Sequence, residues 1–338
     1  MDTKAFIIAE IGINHNGSLN RAKKMIRIAK KSGADAVKFQ SYITGNLVTK
    51  SEKQMPYQLK NNKRKISQFK MLKNSELDFR QQLNLKKYCK FKNIEFISTP
   101  YDETSAKYLC KIGVKKIKIA STDITNVPFL KFILKLKKEV IISTGATSLD
   151  ELKEIFNVIF KKNLKNKITI LQCTAFYPCN EKELNINSIK VLREKFKTNV
   201  GFSDHSLSLV SGALAYAAGA KVIEKHFTLN KKMIGPDHKS SLSPTELKKY
   251  IKNIRDAEIM MGSMEKKIQK SEKLIKSVIQ KSIFLKKNIL KGYKIKKKDT
   301  IIMRPSTSIK PKFFEKIIGK KAKKNLKAYT ILKNTNFI

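Results

Sequence analysis

Eight short runs of β-branched and aromatic residues, each bounded by turn residues, alternate with segments long enough for one helix in this 338-residue chain. We predict strands over residues 6–11, 36–40, 94–99, 116–121, 140–144, 168–174, 200–205 and 222–227. Eight βα units within about 260 residues predict an α/β fold, the (β/α)8 TIM barrel. An open, doubly wound sheet is the alternative, although no Gly-rich dinucleotide-binding loop follows the first run.

Capping boxes mark two of the helix starts. Ser148 with Glu151 precedes one segment with helical spacing of apolar residues, and Ser243 with Glu246 precedes another. The second of these helices is predicted to end at Gly262. We therefore expect the barrel to occupy residues 1–262.

The character of the chain changes after this glycine. Residues 263–280 form a Lys-rich linker that is predicted to carry a helix, and residues 281–338 return to short strand-like pieces. Residues 290–295 resemble residues 326–331, which predicts a β-rich module with two similar corners. Because a module of this size is only marginally stable alone, we expect it to pack on a barrel.

Composition limits the possible partners and compartments. No stretch is long and apolar enough for a membrane span, no signal-peptide pattern is present, and the four cysteines show no C-x-x-C spacing. We expect a cytoplasmic protein without a membrane partner. The net charge of +45 suggests nucleic acid, but the lysines are spread over nearly all predicted helices and loops without a binding motif. We therefore expect no specific nucleic acid partner.

Polar residues follow most of the predicted strands, at the barrel end where catalytic groups normally lie. They are Glu10, Lys38, Gln40, Thr99, Ser121, Asp123, Ser143, Tyr177, Ser203, His205 and His226. A single polar residue at a strand end is more often a turn or helix cap. In combination, lysines, hydroxyls and a carboxylate beside two histidines predict a pocket for a small phosphorylated anion next to a metal ion.

Two of the four histidines, His205 and His226, end the last two predicted strands. Neighbouring parallel strands lie about 4.8 Å apart, so both imidazoles can reach one metal ion. The alternative is a pair of partly buried histidines that only hydrogen-bond to the backbone. Earlier in the chain, residues 41–72 form a long, polar and helix-poor segment, which we interpret as a lid over the pocket, with a disordered insertion as the alternative.

With these positions assigned, the chain resembles the sialic acid synthase family, which includes N-acetylneuraminate, legionaminic acid and pseudaminic acid synthases. The terminal module resembles the family's SAF (antifreeze-like) domain. The motifs that carry the resemblance are AEIGINHNG at 9–17, GADAVKFQ at 33–40, ISTP at 97–100, KIAS at 118–121, STG at 143–145, CT at 173–174, YP at 177–178, FSDH at 202–205, EKHFT at 224–228 and GPDH at 235–238.

The resemblance implies a condensation of phosphoenolpyruvate with an open-chain, N-acetylmannosamine-like aldose, giving a nine-carbon 2-keto sugar acid and phosphate. It implies that His205 and His226 hold a divalent metal that polarises the sugar aldehyde, Mn2+ first, with Mg2+ or Co2+ as alternatives. Glu10 matches the carboxylate that handles the water or a hydroxyl proton.

The resemblance also assigns the remaining site residues. Residues that match those around phosphoenolpyruvate are Lys38, Thr99, Lys118, Ser121, Ser143 and Ser203, and residues that match the sugar side are Gln40, Asp123, Tyr177 and Asp237. Arg304 matches an arginine that reaches the partner's active site in a domain-swapped homodimer. Six of these positions are the candidate catalytic residues: Glu10, Lys38, Asp123, Tyr177, Asp237 and Arg304.

Three positions depart from the family pattern. Asp123 stands where members often have Glu, Ala175 stands where some N-acetylneuraminate synthases have a sugar-contacting amide, and residues 306–308 replace a Gly-rich turn. Three alternative functions remain open: a sister phosphoenolpyruvate-dependent synthase that uses another aldose, a non-catalytic carbohydrate-binding protein, and a basic nucleic-acid-binding protein, which would show steeply salt-dependent binding.

Overall fold

The computed structural model of the protein describes residues 4–62, 66–159 and 167–338. The chain divides into two compact units, Met1–Gly262 and Ser263–Ile338. In the described part of the chain, no helix is long and apolar enough to cross a membrane.

The first unit contains a closed barrel of eight parallel strands. The strands are β1 (Phe6–Gly12), β2 (Ala36–Ser41), β3 (Glu95–Pro100), β4 (Lys116–Ile119), β5 (Glu139–Ser143), β6 (Ile168–Cys173), β7 (Asn199–Asp204) and β8 (Val222–His226). Each strand pairs with the next, and β1 closes the ring on β8 from Phe6↔Val222 to Glu10↔His226. The predicted barrel is confirmed and the open sheet is excluded; every predicted strand is present, with ends that differ by two residues at most.

Helices surround the strands of this unit. They are α1 (Leu19–Ser32), α2 (Thr44–Leu47), α3 (Pro56–Asn62), α4 (Gln68–Lys73), α5 (Phe79–Phe91), α6 (Glu103–Lys111), α7 (Val127–Lys135), α8 (Leu149–Ile159), α9 (Ser188–Phe196), α10 (Ser211–Ala217) and α11 (Pro244–Met261). Both predicted capping boxes are present: Ser148 and Glu151 exchange hydrogen bonds of 2.7 and 3.2 Å, as do Ser243 and Glu246 at 2.8 and 3.4 Å.

The interior of the barrel changes from apolar to polar along the strand direction. A small apolar cluster from Ile8, Ala36, Ile97, Ile141, Leu171 and Val222 fills the ring. Because side chains alternate along a strand, the next inward positions after Ile8 and Val222 are Glu10 and Glu224. The polar site therefore lies on a closed apolar floor.

The prediction that residues 41–72 are helix-poor is wrong, because α2, α3 and α4 begin in this segment. Its apolar residues Tyr42, Met71 and Leu72 are buried in one cluster with Ile13. These helices have four to seven residues, too short for a helical period to be recognised in a polar sequence. Residues 63–65 of the segment lie outside the described residues.

The second unit contains α12 (Lys270–Ile279), β9 (Ser282–Leu285), β10 (Thr300–Met303) and α13 (Phe314–Ile317), with β9 and β10 antiparallel. A helix in the predicted linker is confirmed by α12. The predicted internal similarity is present but its register is wrong by one residue. Ile289 and Leu326 exchange backbone hydrogen bonds of 2.8 Å, and Gly292 and Tyr329 share a positive φ. The two corners make reciprocal contacts: Lys291 N donates to Asn325 Oδ1, and Ala328 N donates to Asn288 Oδ1. Equivalent positions in the two corners are therefore 37 residues apart, as 289 is from 326 and 292 is from 329.

Candidate active site

Two lysines and two glutamates form a buried cluster at the carboxyl end of the barrel. Lys38 Nζ lies 3.3 Å from Glu10 Oε2 and 3.4 Å from Glu224 Oε2. Lys118 Nζ lies 3.7 Å from Glu224 Oε1. All four side chains are at most 6% exposed. The cluster therefore holds four ionisable groups away from bulk water.

Side-chain hydroxyl groups form hydrogen bonds with three of these four ionisable groups. Lys38 donates to Thr99 Oγ1 at 3.1 Å, and Lys118 donates to Ser143 Oγ at 2.6 Å. Ser203 donates from Oγ to Glu224 Oε1 at 3.0 Å. The three hydroxyls, predicted from separate strand ends, thus come together at the cluster, two on its lysines and one on Glu224.

The two carboxylates of the cluster have opposite electrostatic behaviour. Burial, together with the neighbouring Glu224 charge, raises the pKa of Glu10 to about 8 against the opposing effect of Lys38. Burial opposes ionisation of Glu224 as well, but Lys118 and Lys38 outweigh it and lower the pKa of Glu224 to about 2. At neutral pH Glu224 is ionised and Glu10 holds a proton.

The charge balance of the cluster follows from these states. The pKa of Lys38 is raised because Glu10 and Glu224 outweigh its burial, and burial lowers the pKa of Lys118 to about 8. Two lysines that are largely protonated at neutral pH therefore face one ionised carboxylate. The resulting net positive charge suits a small anion.

Glu224 was not predicted as a site residue, although it lies in one of the motifs that support the resemblance. The spacing of two residues between Glu224 and His226 places both on the inner face of β8. That alternation was the signal in the sequence that could have assigned Glu224 to the site.

The two candidate metal ligands lie beside the cluster. The ring centroids of His205 and His226 are 5.4 Å apart. The backbone carbonyl of Thr174 lies 2.8 Å from Nδ1 of His205, and the hydroxyl of Tyr177 lies 2.9 Å from its Nε2. The carbonyl fixes a proton on Nδ1, so Nε2 accepts a hydrogen bond from the Tyr177 hydroxyl and is the nitrogen that would bind a cation if that hydroxyl moved aside.

The state of His226 fits metal binding. Its Nδ1 is buried and, among the described residues, has no hydrogen-bond partner. Burial and the neighbouring His205 and Lys38 hold the pKa of His226 well below its usual range, so the ring is neutral, as a metal ligand must be. The described residues contain no group of three or more His, Cys, Asp or Glu side chains placed to hold a metal ion. Water and substrate would therefore complete the coordination of a cation held by the two histidines, as in an open catalytic site.

The mouth of the site is aromatic. Tyr177 stacks on Tyr57 of α3, with ring centroids 5.3 Å apart, and its ring centroid lies 4.0 Å from that of His205. The amide of Asn61 donates to the backbone carbonyl of Pro236 at 2.7 Å, next to the predicted sugar-side residue Asp237. Residues from the 41–72 segment thus border the site, and its function as a lid remains a prediction. Tyr57 was not predicted as a site residue.

The other predicted residues lie at different distances from the cluster. A Cβ on Gly12 would meet both Glu10 Oε1 at 3.1 Å and Gln40 Nε2 at 3.6 Å, so the side chains of Gln40 and Glu10 lie close together. Ser121 Oγ accepts a hydrogen bond from Gly145 N at 2.9 Å and lies 3.6 Å from the sulfur of Cys173. That sulfur is 3.8 Å from His205 Nδ1, a contact that was not predicted.

The remaining predicted residues are Asp123, Asp237 and Arg304. Asp123 lies in a single turn of 3-10 helix and accepts from Asn126 Nδ2 at 3.1 Å. Asp237 is buried, which raises the pKa of its carboxyl to about 6. Arg304 is exposed in the second unit, directly after β10. The roles of these residues remain predictions.

Comparisons with known proteins agree with this arrangement. The chain is 45% identical to N,N'-diacetyllegionaminic acid synthase of Campylobacter jejuni subsp. jejuni, over 96% of this chain and 97% of that protein. It is 41% identical to N,N'-diacetyllegionaminic acid synthase of Legionella pneumophila subsp. pneumophila, over 97% of this chain and 93% of that protein.

A solved structure gives the same result. The crystal structure of N-acetylneuraminic acid (sialic acid) synthetase from Leptospira borgpetersenii serovar Hardjo-bovis matches with a TM-score of 0.71 and 33% identity, over 81% of this chain and 90% of that chain. The SAF domain model matches residues 280–338, and the NeuB family model matches residues 25–266. This chain, with its barrel and its SAF domain, belongs to the NeuB family.

Proposed function

We propose that this protein condenses phosphoenolpyruvate with a 2,4-diacetamido-2,4,6-trideoxy hexose and water, giving N,N'-diacetyllegionaminic acid and phosphate. The observation that carries the reaction is the buried cluster of Glu10, Lys38, Lys118 and Glu224 beside two histidines at the carboxyl end of the barrel. The choice of sugar is supported by 45% and 41% identity to two synthases of that acid.

Phosphoenolpyruvate carries a phosphate and a carboxylate, and the cluster offers matching groups. Lys38 and Lys118 supply the positive charge, and Thr99, Ser143 and Ser203 supply hydroxyl donors. Because these groups are already held in place before substrate binds, little reorganisation is needed when charge develops. Ser121 would contact the same substrate.

The bond changes of this condensation balance without a redox partner. C3 of phosphoenolpyruvate forms a bond to the aldehyde carbon of the sugar, and water adds at C2. The bond from C2 to the phosphate oxygen then breaks, leaving a 2-keto acid and inorganic phosphate. Glu10, whose pKa of about 8 lies close to neutral pH, exchanges a proton with the water or the new hydroxyl group.

The aldehyde requires an electrophile. A divalent cation at His205 and His226, Mn2+ with Mg2+ and Co2+ as alternatives, would supply it by polarising the aldehyde oxygen. The Thr174 carbonyl orients His205 for this role, and the Tyr177 hydroxyl contacts the nitrogen that would face the cation. Glu224 forms ion pairs with both Lys38 and Lys118 and holds their ammonium groups in place.

The sugar side is assigned to Gln40, Asp123, Tyr177 and Asp237, with Tyr57 as an additional wall. Ala175 supports a sugar other than N-acetylmannosamine, since this position lacks the amide that some N-acetylneuraminate synthases use. We place Arg304 in the same site through a domain-swapped homodimer, in which each SAF domain serves the partner's barrel.

Phosphate release from phosphoenolpyruvate in the presence of Mn2+ tests this function. The sugars to compare are N-acetylmannosamine, its 6-phosphate, and the two diacetamido-trideoxy hexoses that precede legionaminic and pseudaminic acids. We expect release with the legionaminic acid precursor, and loss of release with EDTA or in His226→Ala. Release with a different sugar would reject the substrate but keep the reaction, and no release with any sugar from folded, Mn2+-loaded protein would reject both.

A further inference from the structure

A buried ion pair lies directly behind the two histidines, on the outer side of the strands. Lys225 Nζ is 2.7 Å from Asp204 Oδ2, and both side chains are fully buried. Asp204 is the last residue of β7 and directly precedes His205, and Lys225 precedes His226 on β8. The ion pair points away from the site because successive side chains of a strand face opposite sides.

Asp204 accepts hydrogen bonds from three more residues. Its Oδ2 accepts from the hydroxyls of Tyr250 at 2.9 Å and Ser211 at 2.5 Å. Its Oδ1 accepts from the backbone N–H and the hydroxyl of Ser206 at 2.9 and 2.7 Å. Lys225 donates in addition to the backbone carbonyl of Ser206 at 2.7 Å. We refer to Asp204, Ser206, Ser211, Lys225 and Tyr250 as the Asp204 network.

Stability alone gives little reason for such a network. Desolvation of two charges largely cancels their attraction, and apolar residues of similar volume are often as stabilising as a buried ion pair. What a fully satisfied polar network provides is one fixed geometry. The Asp204 network connects the ends of β7 and β8 with α10 and α11, so it fixes the geometry of these strand ends.

The fixed geometry is that of the two histidines. Asp204 pairs with Lys225 in the β7–β8 register, and His205 and His226 are the residues that directly follow this pair in the chain. Asp204 and Ser206 flank His205 and are joined by two hydrogen bonds, which closes a short loop around its backbone. Lys225 holds that same loop through the Ser206 carbonyl.

We propose that the Asp204 network is a positioning device that sets the separation and orientation of His205 and His226 and thereby the affinity of the protein for a divalent cation. This inference rests on the proposed function, in which these histidines hold the cation. None of the five residues of the network is assigned to substrate or metal. They act through the backbone of the two residues that are.

Mn2+ binding to the metal-free, full-length protein tests this inference, with the electron paramagnetic resonance signal of free Mn2+ as the readout. Tyr250→Phe removes one hydroxyl from Asp204 and keeps the ring. Asp204→Asn combined with Lys225→Met removes both charges, so that neither is left buried alone. Outer-shell partners of metal ligands typically contribute about 10- to 100-fold in affinity. We expect a loss in this range for the double variant and a loss of about threefold or more for Tyr250→Phe.

An ion pair between α11 and the residue before β2 is the matched control. Arg255 Nη2 lies 2.8 Å from Asp35 Oδ2, next to the start of β2 at the opposite end of the barrel. Asp35→Asn combined with Arg255→Met should lower the melting temperature and leave the Kd for Mn2+ unchanged. Melting temperatures of all metal-free variants separate loss of stability from loss of affinity, and Tyr250→Phe carries the test if the double variant does not fold.

The outcomes are distinct. Weaker Mn2+ binding in the network variants, with unchanged binding in the control, supports the inference. If both network variants bind Mn2+ within twofold of the unsubstituted protein, the network is only structural and the inference is wrong. If the unsubstituted protein itself does not bind Mn2+, the two-histidine site is wrong, and the inference falls with the proposed metal.

Discussion

Replacement of Glu10 by Gln should stabilise the metal-free protein and strongly reduce its activity. Glu10 is fully buried, and its pKa is raised from an ordinary value of 4.5 to about 8. The native state therefore holds a proton on Glu10 between these values, where the unfolded state does not. With Glu10 protonated in both states, below pH 4.5, the free energy of unfolding has its full value. It falls as the pH rises from 4.5 to about 8, because the unfolded state releases this proton first.

The magnitude follows from the same two values. Each pH unit between them corresponds to about 1.4 kcal/mol. Relative to a neutral isostere, Glu10 thus lowers the free energy of unfolding by about 1 kcal/mol at about pH 5, about 3 kcal/mol at pH 7 and about 5 kcal/mol at about pH 9. Glu10→Gln should recover these amounts, and it should reduce kcat/KM by at least about 100-fold because the proton-transfer group is lost.

Urea unfolding at these three pH values, followed by far-ultraviolet circular dichroism, measures the effect. Glu95→Gln is the control, since Glu95 is a partly exposed carboxylate, 3.2 Å from Lys116, for which the expected change is about 1 kcal/mol or less. If Glu10→Gln destabilises the protein at pH 7, or stabilises it equally at all three pH values, Lys38 keeps Glu10 ionised and the reasoning from burial is wrong.

Three further predictions concern other parts of the chain. Lys118→Met should raise the KM for phosphoenolpyruvate about 10-fold or more, because it removes a charge-assisted anion contact; an unchanged KM in steady-state kinetics would remove Lys118 from the substrate site. Arg304→Ala should raise the KM for the sugar and leave phosphoenolpyruvate binding intact, and unchanged sugar kinetics would reject its role. Gly201→Ala should destabilise the barrel by several kcal/mol, since its Cβ would lie 2.2 Å from the Val222 carbonyl oxygen. Gly45→Ala is its control in thermal unfolding, because a Cβ there meets no atom within 4 Å; equal melting temperatures would contradict the packing argument.

The barrel could be predicted because its strands are short, apolar and separated by clear helix signals. The resemblance to the sialic acid synthase family was predictable from ordered motifs, and the family match confirms it. The α2–α4 segment could not be predicted, because tertiary burial of residues such as Tyr42 and Met71, and not local periodicity, stabilises these short helices.

Site residues divide in a similar way. Glu10 and Lys38 lie at strand ends, where alternation determines that they face inward, and Lys118 was predicted from the family motif at 118–121. Glu224 and Tyr57 were not predicted, for different reasons. Glu224 lies inside β8 and not at its end, where site residues were expected. Tyr57 reaches the site through the packing of α3 on Tyr177. The SAF domain's repeat was predicted one residue out of register because the similar residues Leu290 and Leu326 do not occupy equivalent backbone positions. Only the backbone shows that Gly292 corresponds to Tyr329.

The most direct test of the central claim determines which product receives the oxygen that bridges C2 and phosphorus in phosphoenolpyruvate. The protein is incubated with Mn2+, phosphoenolpyruvate and the diacetamido-trideoxy hexose in heavy-oxygen water, and both products are analysed by mass spectrometry. A condensation in which water adds at C2 predicts one nine-carbon 2-keto acid for each phosphate released, and phosphate that contains no heavy oxygen. Heavy oxygen in the phosphate would mean that water attacks phosphorus, and phosphate released without the sugar acid would mean that phosphoenolpyruvate is hydrolysed without condensation. Either result would contradict the account.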